Sequence, residues 1–200
     1  MSIQLSRRDF MKCSAVAVLA AASGTLLTGC SGGVGGGSIP ADQPISKYGL
    51  TVEMERWNDS KHPVLGKPDY DNFITIGDYQ LLDLTFELKN NTDKFIPIVD
   101  DPHVTVGELL IAVGTCISTK KPDALFKYLQ EGGTFTVTAD NKPVSCVFYF
   151  EKDIDTLLTP TKLHPRGDVD VHLLCLVPAN WSKLNISYNT LGLNFVQSRN

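Results

Sequence analysis

The chain beyond its first forty-six residues is dominated by an alternation of apolar and polar side chains with a period of two. The alternation is clearest in Leu82–Lys89, where every second residue is a leucine or a phenylalanine and the residues between them are polar or charged. Side chains on a β-strand point alternately to opposite faces, so this pattern predicts a strand with one buried face. The chain is therefore expected to be mainly β.

Several further segments are rich in strand-forming residues and are separated by residues typical of turns. We predict strands at Leu50–Met54, Phe73–Ile76, Leu82–Lys89, Phe95–Val99, Val104–Val113, Phe135–Thr138, Val144–Phe150, Val169–Val177, Leu184–Tyr188 and Leu193–Val196. Strand and helix patterns do not alternate, which favours an antiparallel β-sandwich with an immunoglobulin-like topology. A closed barrel is the alternative.

One segment, Pro122–Leu129, interrupts the strand pattern. Proline is favoured at the first position of a helix, and Gly132–Gly133 lies just beyond the end, where glycine commonly stops a helix. We therefore predict one short helix in this segment, with Leu125, Phe126 and Leu129 facing the core.

The N-terminus carries an export motif. Residues 6–12 read Ser-Arg-Arg-Asp-Phe-Met-Lys, and the pair Arg7 and Arg8 with Phe10 is typical of a twin-arginine signal. The apolar run Ala15–Ala22 that follows is too short to cross about 30 Å of hydrocarbon, so it is interpreted as the core of a signal peptide. The sequence therefore predicts export of the folded protein.

The segment Leu27–Cys30 reads Leu-Thr-Gly-Cys and resembles the bacterial lipobox. In a lipobox the cysteine thiol receives a diacylglycerol and the chain is cut just before the cysteine. We predict a signal peptide over residues 1–29, a lipidated Cys30 with a glycine-rich tether over 30–46, and an immunoglobulin-like domain over 47–200. The protein is expected at the extracytoplasmic face of the cell membrane.

The charge balance is mildly acidic. Residues 1–29 hold three of the 18 basic and one of the 22 acidic residues, so the chain from Cys30 onward carries a net charge of −6. Nucleic acid and anionic lipid both bind clustered lysine and arginine, so this balance argues against either as a partner. The lipid on Cys30 would hold the protein to the membrane without a basic patch.

Three of the five cysteines remain after Cys13 leaves with the signal and Cys30 is lipidated. Disulfides persist outside the cytoplasm, and three cysteines permit one. Cys146 and Cys175 lie within predicted strands on apolar faces, so they are the candidate pair, with Cys116 left as a thiol. Three buried thiols are the equally open alternative.

The sequence offers little catalytic or metal-binding chemistry. Asp100, Asp101 and His103 form the most suggestive cluster, but the segment lacks the six or more oxygen ligands of a calcium loop, and we interpret it as a solvated turn. The chain contains no nucleophile-elbow motif and no phosphate-binding glycine loop followed by a helix. We therefore predict no enzyme, no catalytic residue, no metal and no cofactor.

Two stretches carry a family resemblance: Leu82–Asp93, and a later one made of Leu163–Gly167, Val169–Pro178 and Leu184–Tyr188. Together they resemble the immunoglobulin-like domain of unknown function found on many Gram-positive lipoproteins, which is similar to a domain of extracellular phage-immunity lipoproteins. The chain departs from the family pattern in placing Arg166 inside the usual Pro-Gly pair and in having cysteines in the core. The resemblance implies the fold and carries over no catalytic residue.

These observations lead to two functional hypotheses. The first is a membrane-anchored binding module of the cell envelope, with a protein partner contacted by the long polar loops Asn58–Asp71 and Asp153–Gly167. The alternative is a carrier of a metal ion or a small ligand, which would explain export in the folded state and would require histidine, cysteine or acidic side chains to converge.

Overall fold

A computed structural model describes residues 38–55, 63–65, 73–98, 104–150 and 162–199. The chain divides into two units, Met1–Gly35 and Gly36–Asn200, and all described residues lie in the second. The elements in chain order are β1 (Ile39–Pro40), β2 (Ile45–Lys47), β3 (Leu50–Met54), β4 (Phe73–Ile76), β5 (Tyr79–Asn90), β6 (Ile96–Pro97), α1 (Val106–Thr119), β7 (Phe135–Ala139), β8 (Lys142–Val144), β9 (Cys146–Phe150), β10 (Lys162–Leu163), β11 (Asp168–Pro178), β12 (Lys183–Tyr188) and β13 (Leu193–Ser198).

The strands form two main sheets. One has five strands in the order β1-β13-β12-β7-β8, and the other has six, in the order β2-β3-β5-β11-β9 with β4 also paired to β5. Strands β6 and β10 form a separate two-stranded ribbon. Every pairing is antiparallel except that of β1 with β13.

The two main sheets pack face to face around a shared apolar core. Phe86 of β5 lies at its centre, with its ring 5.2 Å from that of Phe135 on β7 and 5.3 Å from that of Phe195 on β13. The alternation in the strands places the remaining core side chains, because every second residue points between the sheets. The predicted inner faces are confirmed in this core: Val144, Cys146, Phe148 and Phe150 near β9, and Val171, Leu173 and Cys175 on β11.

A second core lies on the outer face of the six-stranded sheet, where α1 covers it. The helix contributes side chains at a spacing that places them on one face, and the sheet contributes every second residue of three strands. The contributors from the helix are Leu109, Ala112, Val113 and Cys116, and those from the sheet include Leu81, Val147, Tyr149, Leu174 and Leu176. The central strands β5 and β11 are therefore buried on both faces, which explains their almost continuous burial.

The prediction of a mainly β sandwich with one helix is confirmed, and the predicted strands other than Val104–Val113 are found within two or three residues of their expected bounds. The two main sheets share no strand pairing among the described residues, so the closed-barrel alternative is wrong. The immunoglobulin-like topology stays a prediction.

The predicted strand Val104–Val113 is wrong, because the chain forms α1 there. Thr105 and Glu108 make a reciprocal capping box: the Glu108 N–H donates to Thr105 Oγ1 at 3.2 Å, and the Thr105 N–H donates to Glu108 Oε2 at 3.1 Å. These bonds fix the start of the helix despite its valines and isoleucines. Within the described residues no helix is long and apolar enough to cross a membrane.

The predicted helix Pro122–Leu129 is also wrong, because this segment forms consecutive turns. The N–H of Leu125 donates to the Pro122 carbonyl at 2.9 Å, and the N–H of Tyr128 donates to the Leu125 carbonyl at 2.9 Å. Pro122 disfavours helical geometry at the residue before it and so ends the preceding helix. Leu125 is buried as expected, whereas Phe126 is 55% exposed.

The first strands lie in the segment predicted to be the tether. β1 pairs in parallel with β13, and β2 pairs with β3, so both belong to the sandwich. The structure therefore places strand pairing from Ile39 onward, eight residues before Lys47. Ser38 is the only residue described before β1.

The two stretches that carry the family resemblance meet at one corner of the sandwich, where Asn90 ends β5. The Asn90 side chain donates to the backbone carbonyls of Lys94 at 2.6 Å and of His164 at 2.8 Å. Its carbonyl oxygen accepts from the Thr92 N–H at 2.9 Å. Arg166 adds an exposed contact, with its Nε 2.9 Å from Asp93 Oδ1, which lowers the pKa of that carboxyl. These bonds explain the Asn-rich turn.

Candidate functional site

The outer face of α1 is the most unusual exposed surface among the described residues. Three large apolar side chains project from it: Leu110 is 46% exposed, Ile111 is 75% exposed and Ile117 is 49% exposed. We define the outer face of α1 by six of its exposed residues, none of them charged: Gly107, Leu110, Ile111, Gly114, Ile117 and Ser118. Two further exposed residues of the helix, Glu108 and Thr115, border this face along one edge. Surface helices normally present a polar outer face, so this one is typical of a contact surface.

Two glycines run along the middle of this face, and nothing within the described structure requires them. A Cβ atom added to Gly107 or to Gly114 would meet no other atom within 4 Å. Neither has a positive φ, so neither is needed for its backbone angles. Glycine inside a helix costs about 1 kcal/mol relative to alanine. The two therefore leave a shallow groove, which a second backbone could approach closely.

The sequence contained a signal for this helix that the strand interpretation missed. Thr105 and Glu108 are spaced as a capping box requires, and the buried Leu109, Ala112 and Cys116 have helical spacing. The exposed face could not be deduced in the same way, because large apolar side chains occur on both sides of this helix and do not indicate which side is covered.

A buried polar cluster lies on the outer face of the six-stranded sheet, next to the second core. Thr85, His172 and Tyr149 stand side by side on β5, β11 and β9. The Tyr149 hydroxyl donates to Asp83 Oδ2, and the Tyr149 ring stacks on the His172 ring at 4.9 Å. His172 Nδ1 lies 3.3 Å from Thr85 Oγ1 and 3.7 Å from Asp83 Oδ1. All four side chains are closed to solvent, so the cluster contributes to packing.

The neighbouring row of the same sheet face is acidic. Glu53 on β3 stands opposite Glu87 on β5, and Asp170 on β11 stands opposite Glu87 from the other side. Partial burial, and then the charges of Glu87 and Asp42, raise the pKa of Glu53. Among the described residues, no three histidine, cysteine or acidic side chains are grouped so that they could hold a metal ion.

The candidate cysteine pair is brought together. Cys146 on β9 stands directly opposite Cys175 on β11, and both are buried thiols. Burial and the neighbouring Cys146 raise the pKa of the Cys175 thiol well above its usual value. Cys116 belongs to α1, and burial raises its pKa as well.

The remaining predicted site residues lie outside the described part of the chain. They are the export residues Arg7, Arg8 and Phe10, the lipidated Cys30, and the cluster Asp100, Asp101 and His103. The predicted contact loops are also mostly outside it: only 63–65 of the first and 162–167 of the second are described. These predictions stay predictions at the level of individual residues.

Residues 4–24 match the TAT (twin-arginine translocation) pathway signal sequence. This match spans Arg7, Arg8 and Phe10 and confirms the prediction of a twin-arginine signal. The protein is therefore exported from the cytoplasm. Comparison with curated proteins found no similar sequence.

Two solved structures are similar to this chain over most of its length. An uncharacterized β-sandwich protein from Clostridium difficile 630 has 9% sequence identity and a TM-score of 0.44, covering 83% of this chain and 97% of its own. A proposed lipoprotein from Bacillus subtilis subsp. subtilis has 14% identity and a TM-score of 0.40, covering 78% of this chain and 38% of its own. At these TM-scores no role is transferred from either protein.

Proposed function

We propose that the protein is a lipid-anchored binding module of the cell envelope, held to the extracytoplasmic face of the membrane by a lipid on Cys30. Its binding surface is the outer face of α1. The observation that carries this proposal is the exposure of three large apolar side chains, Leu110, Ile111 and Ile117, among the six uncharged residues that define this face. In water such a face is unfavourable, and covering it with a partner removes apolar surface from solvent.

The partner that fits this surface is an apolar helix of another protein. Gly107 and Gly114 stand seven residues apart on the same face, so a helix laid along them can approach the α1 backbone closely. Leu110 and Ile117 on one side and Ile111 on the other would line the groove. The charge-free surface accommodates a partner helix that also lacks charges on its contact face.

The anchor limits where this partner can be. Eight residues lie between Cys30 and Ile39, and the nine Cα–Cα steps that join them span about 30 Å when the chain is fully extended. The domain would therefore stay close to the membrane surface. The partner is accordingly a protein embedded in, or attached to, the same membrane.

The location is tested by fractionation and by the mass of the denatured protein. The wild-type chain should be found in the membrane fraction, with a mass that corresponds to cleavage before Cys30 and addition of acyl groups. The variant Cys30→Ser should lose the acyl mass and should be recovered uncleaved, because the thiol that accepts the lipid is absent. An uncleaved wild-type chain without lipid would contradict the proposed anchor.

The binding surface is tested by a pair of matched substitutions. Ile111→Glu places a charge on the outer face of α1, and Ser198→Glu adds the same charge at an exposed position on β13. We expect Ile111→Glu to abolish co-purification of the partner from detergent-solubilised membranes at an unchanged melting temperature, whereas Ser198→Glu retains the partner. Equal recovery of the partner with both variants would reject α1 as the surface.

A further inference from the structure

We propose that Cys146 and Cys175 form a disulfide across β9 and β11 once the protein is outside the cytoplasm. The two residues are direct cross-strand neighbours on the face that packs into the sandwich core. Export brings this pair into a compartment in which disulfides persist.

The backbone hydrogen bonds around the pair identify its geometry. The N–H and carbonyl of Cys146 both bond to Gln130, on the side of β9 that faces away from β11. The Leu176 N–H donates to the Ser145 carbonyl at 3.2 Å, so the hydrogen bonds between the two strands are made by the residues next to the cysteines. Cys146 and Cys175 are thus a non-hydrogen-bonded pair. Such pairs have Cα atoms about 4.5 Å apart, within the range of roughly 4.4–6.8 Å that a disulfide spans.

The fold also determines which of the three cysteines remains a thiol. Cys146 and Cys175 point into the core between the sheets, whereas Cys116 belongs to the second core beneath α1. The six-stranded sheet separates Cys116 from the other two, so pairing with either would require the sheet to open. The odd number of cysteines is therefore divided into one pair and one buried thiol.

The bond would fix the point at which the chain crosses between the two sheets. β8 belongs to the five-stranded sheet and β9 to the six-stranded sheet, with only Ser145 between them. Cys146 is the first residue after this crossing, and β11 is a central strand. The disulfide would thus tie a crossing strand at the sheet edge to the middle of the sandwich.

The reaction requires an oxidant, which we assign to the class of extracytoplasmic thiol–disulfide exchange proteins. One cysteine thiolate attacks the disulfide of the oxidant and releases one of its thiols. The second cysteine then displaces the other thiol, so the oxidant takes up both electrons and both protons. Both thiols are buried, so exchange needs local opening. β9 permits this because, among the described residues, its outer edge is held only by the bridge to Gln130.

The test uses the full-length protein isolated from the cell envelope, with free thiols blocked by N-ethylmaleimide in denaturant before any reduction. We expect Cys116 to carry the label, and peptide mapping to recover the segments with Cys146 and Cys175 joined and lighter by two hydrogens. Quantitative labelling of both Cys146 and Cys175 would overturn the proposal.

A second measurement compares unfolding with and without reductant. Closing a loop of about thirty residues should lower the unfolding equilibrium constant by roughly two to three orders of magnitude. We expect reduction to lower the melting temperature of the wild-type protein and of Cys116→Ala, but not that of the double variant Cys146→Ala, Cys175→Ala. A wild-type melting temperature that does not respond to reductant would also overturn the proposal.

Discussion

At the scale of single residues, Asn90 joins the end of β5 to the turns around it. Its buried side chain donates to the carbonyls of Lys94 and His164 and accepts from both the N–H and the hydroxyl of Thr92. A backbone segment held by one side chain in this way loses several bonds at once when that side chain is shortened. Asparagine supplies both donors and an acceptor within one planar group.

We predict that Asn90→Ala lowers the free energy of unfolding by about 2–4 kcal/mol, because buried carbonyls and N–H groups would lose their partners. Urea unfolding followed by circular dichroism measures this change. The matched control is Asn91→Ala. The exposed Asn91 side chain donates to Thr51 Oγ1 at 2.7 Å, and its removal should change stability by about 0.5 kcal/mol at most. Equal effects of the two substitutions would contradict this assignment.

The neighbouring acidic side chains Glu53, Glu87 and Asp170 predict that the stability of the fold depends on pH. The pKa of Glu53 is raised in the folded state, so the folded chain binds this proton more tightly than the unfolded chain. Its contribution to stability is therefore unfavourable at neutral pH and is relieved as the pH falls through the raised pKa toward 4.5. We expect Glu53→Gln to stabilise the protein at pH 7 by about 0.5 kcal/mol.

The measurement for Glu53 is the difference in melting temperature between wild type and Glu53→Gln across pH. The difference should be positive at neutral pH and should shrink toward pH 4.5. Ser198→Gln, an exposed change on β13 that alters no charge, serves as a control that should show no such trend. A difference that grows as the pH falls would show that the sign is wrong.

Individual residues differ in how far the sequence could place them. Cys146 and Cys175 were predicted on apolar strand faces, and both are buried. His172 is fully buried on the outer face of the six-stranded sheet, next to Tyr149 and Thr85. The sequence alone could not predict that Asp83 and Tyr149 contact His172, because these contacts depend on the register between β5, β11 and β9.

At the scale of elements, α1 has a well-formed N-terminal capping box but contains several residues with low helix propensity. The capping box stabilises its first turn, whereas Gly107 in that turn and Gly114 in the middle of the helix weaken it. If these glycines serve a partner and not the fold, replacing them should have opposite effects on stability and on binding.

We predict that Gly114→Ala raises the free energy of unfolding by about 1 kcal/mol and weakens capture of the partner. Alanine favours the helix, and its methyl group meets nothing within the described structure. The methyl group would, however, obstruct a helix that lies in the groove. Thermal unfolding and co-purification are measured on the same preparation. A loss of stability would show that the added methyl group does not fit at Gly114. Unchanged capture of the partner would show that no helix lies against this glycine.

The capping box makes a separate prediction. Thr105→Ala should lower the free energy of unfolding by about 1 kcal/mol, because the N–H of Glu108 loses its acceptor. Thr105→Ser keeps the hydroxyl and should restore most of the lost stability. Urea unfolding of the three proteins compares them directly, and identical midpoints would show that the cap contributes nothing.

The elements show why some predictions from sequence succeed and others do not. β5 alternates from Leu82 to Lys89, so its strand and its inner face could both be predicted. α1 is rich in valine and isoleucine, which favour strands, and its helical spacing competes with that preference. Pro122 was interpreted as the start of a helix, but it follows the end of one, and the residue type alone does not distinguish these positions.

At the scale of the whole molecule, the fold and the route of export are linked. The domain closes two cores around the six-stranded sheet, and both require distant parts of the chain to meet. A twin-arginine signal carries cargo that has already folded, so the sandwich would be complete before export. The thiols of Cys146 and Cys175 would then cross the membrane in the reduced state.

We predict that the double variant Arg7→Lys, Arg8→Lys accumulates in the cytoplasm as a folded precursor with a protease-resistant domain. The change affects only the signal, so the sandwich from Ile39 onward should form normally. Limited proteolysis of the cytoplasmic fraction tests this, with Lys12→Arg as a control that should still be exported. A precursor that is degraded as readily as an unfolded chain would contradict folding before export.

The central claim is that the outer face of α1 binds a membrane protein in the cell, and site-specific photo-crosslinking tests it most directly. A photoreactive amino acid in place of Ile111 should give a discrete adduct with one membrane protein on illumination of intact cells. The same amino acid in place of Ser198 should give none. The adduct should disappear when Gly114→Ala is added. Crosslinking at Ile111 only to lipid or to a second copy of the chain, or no crosslinking at all, would contradict the account.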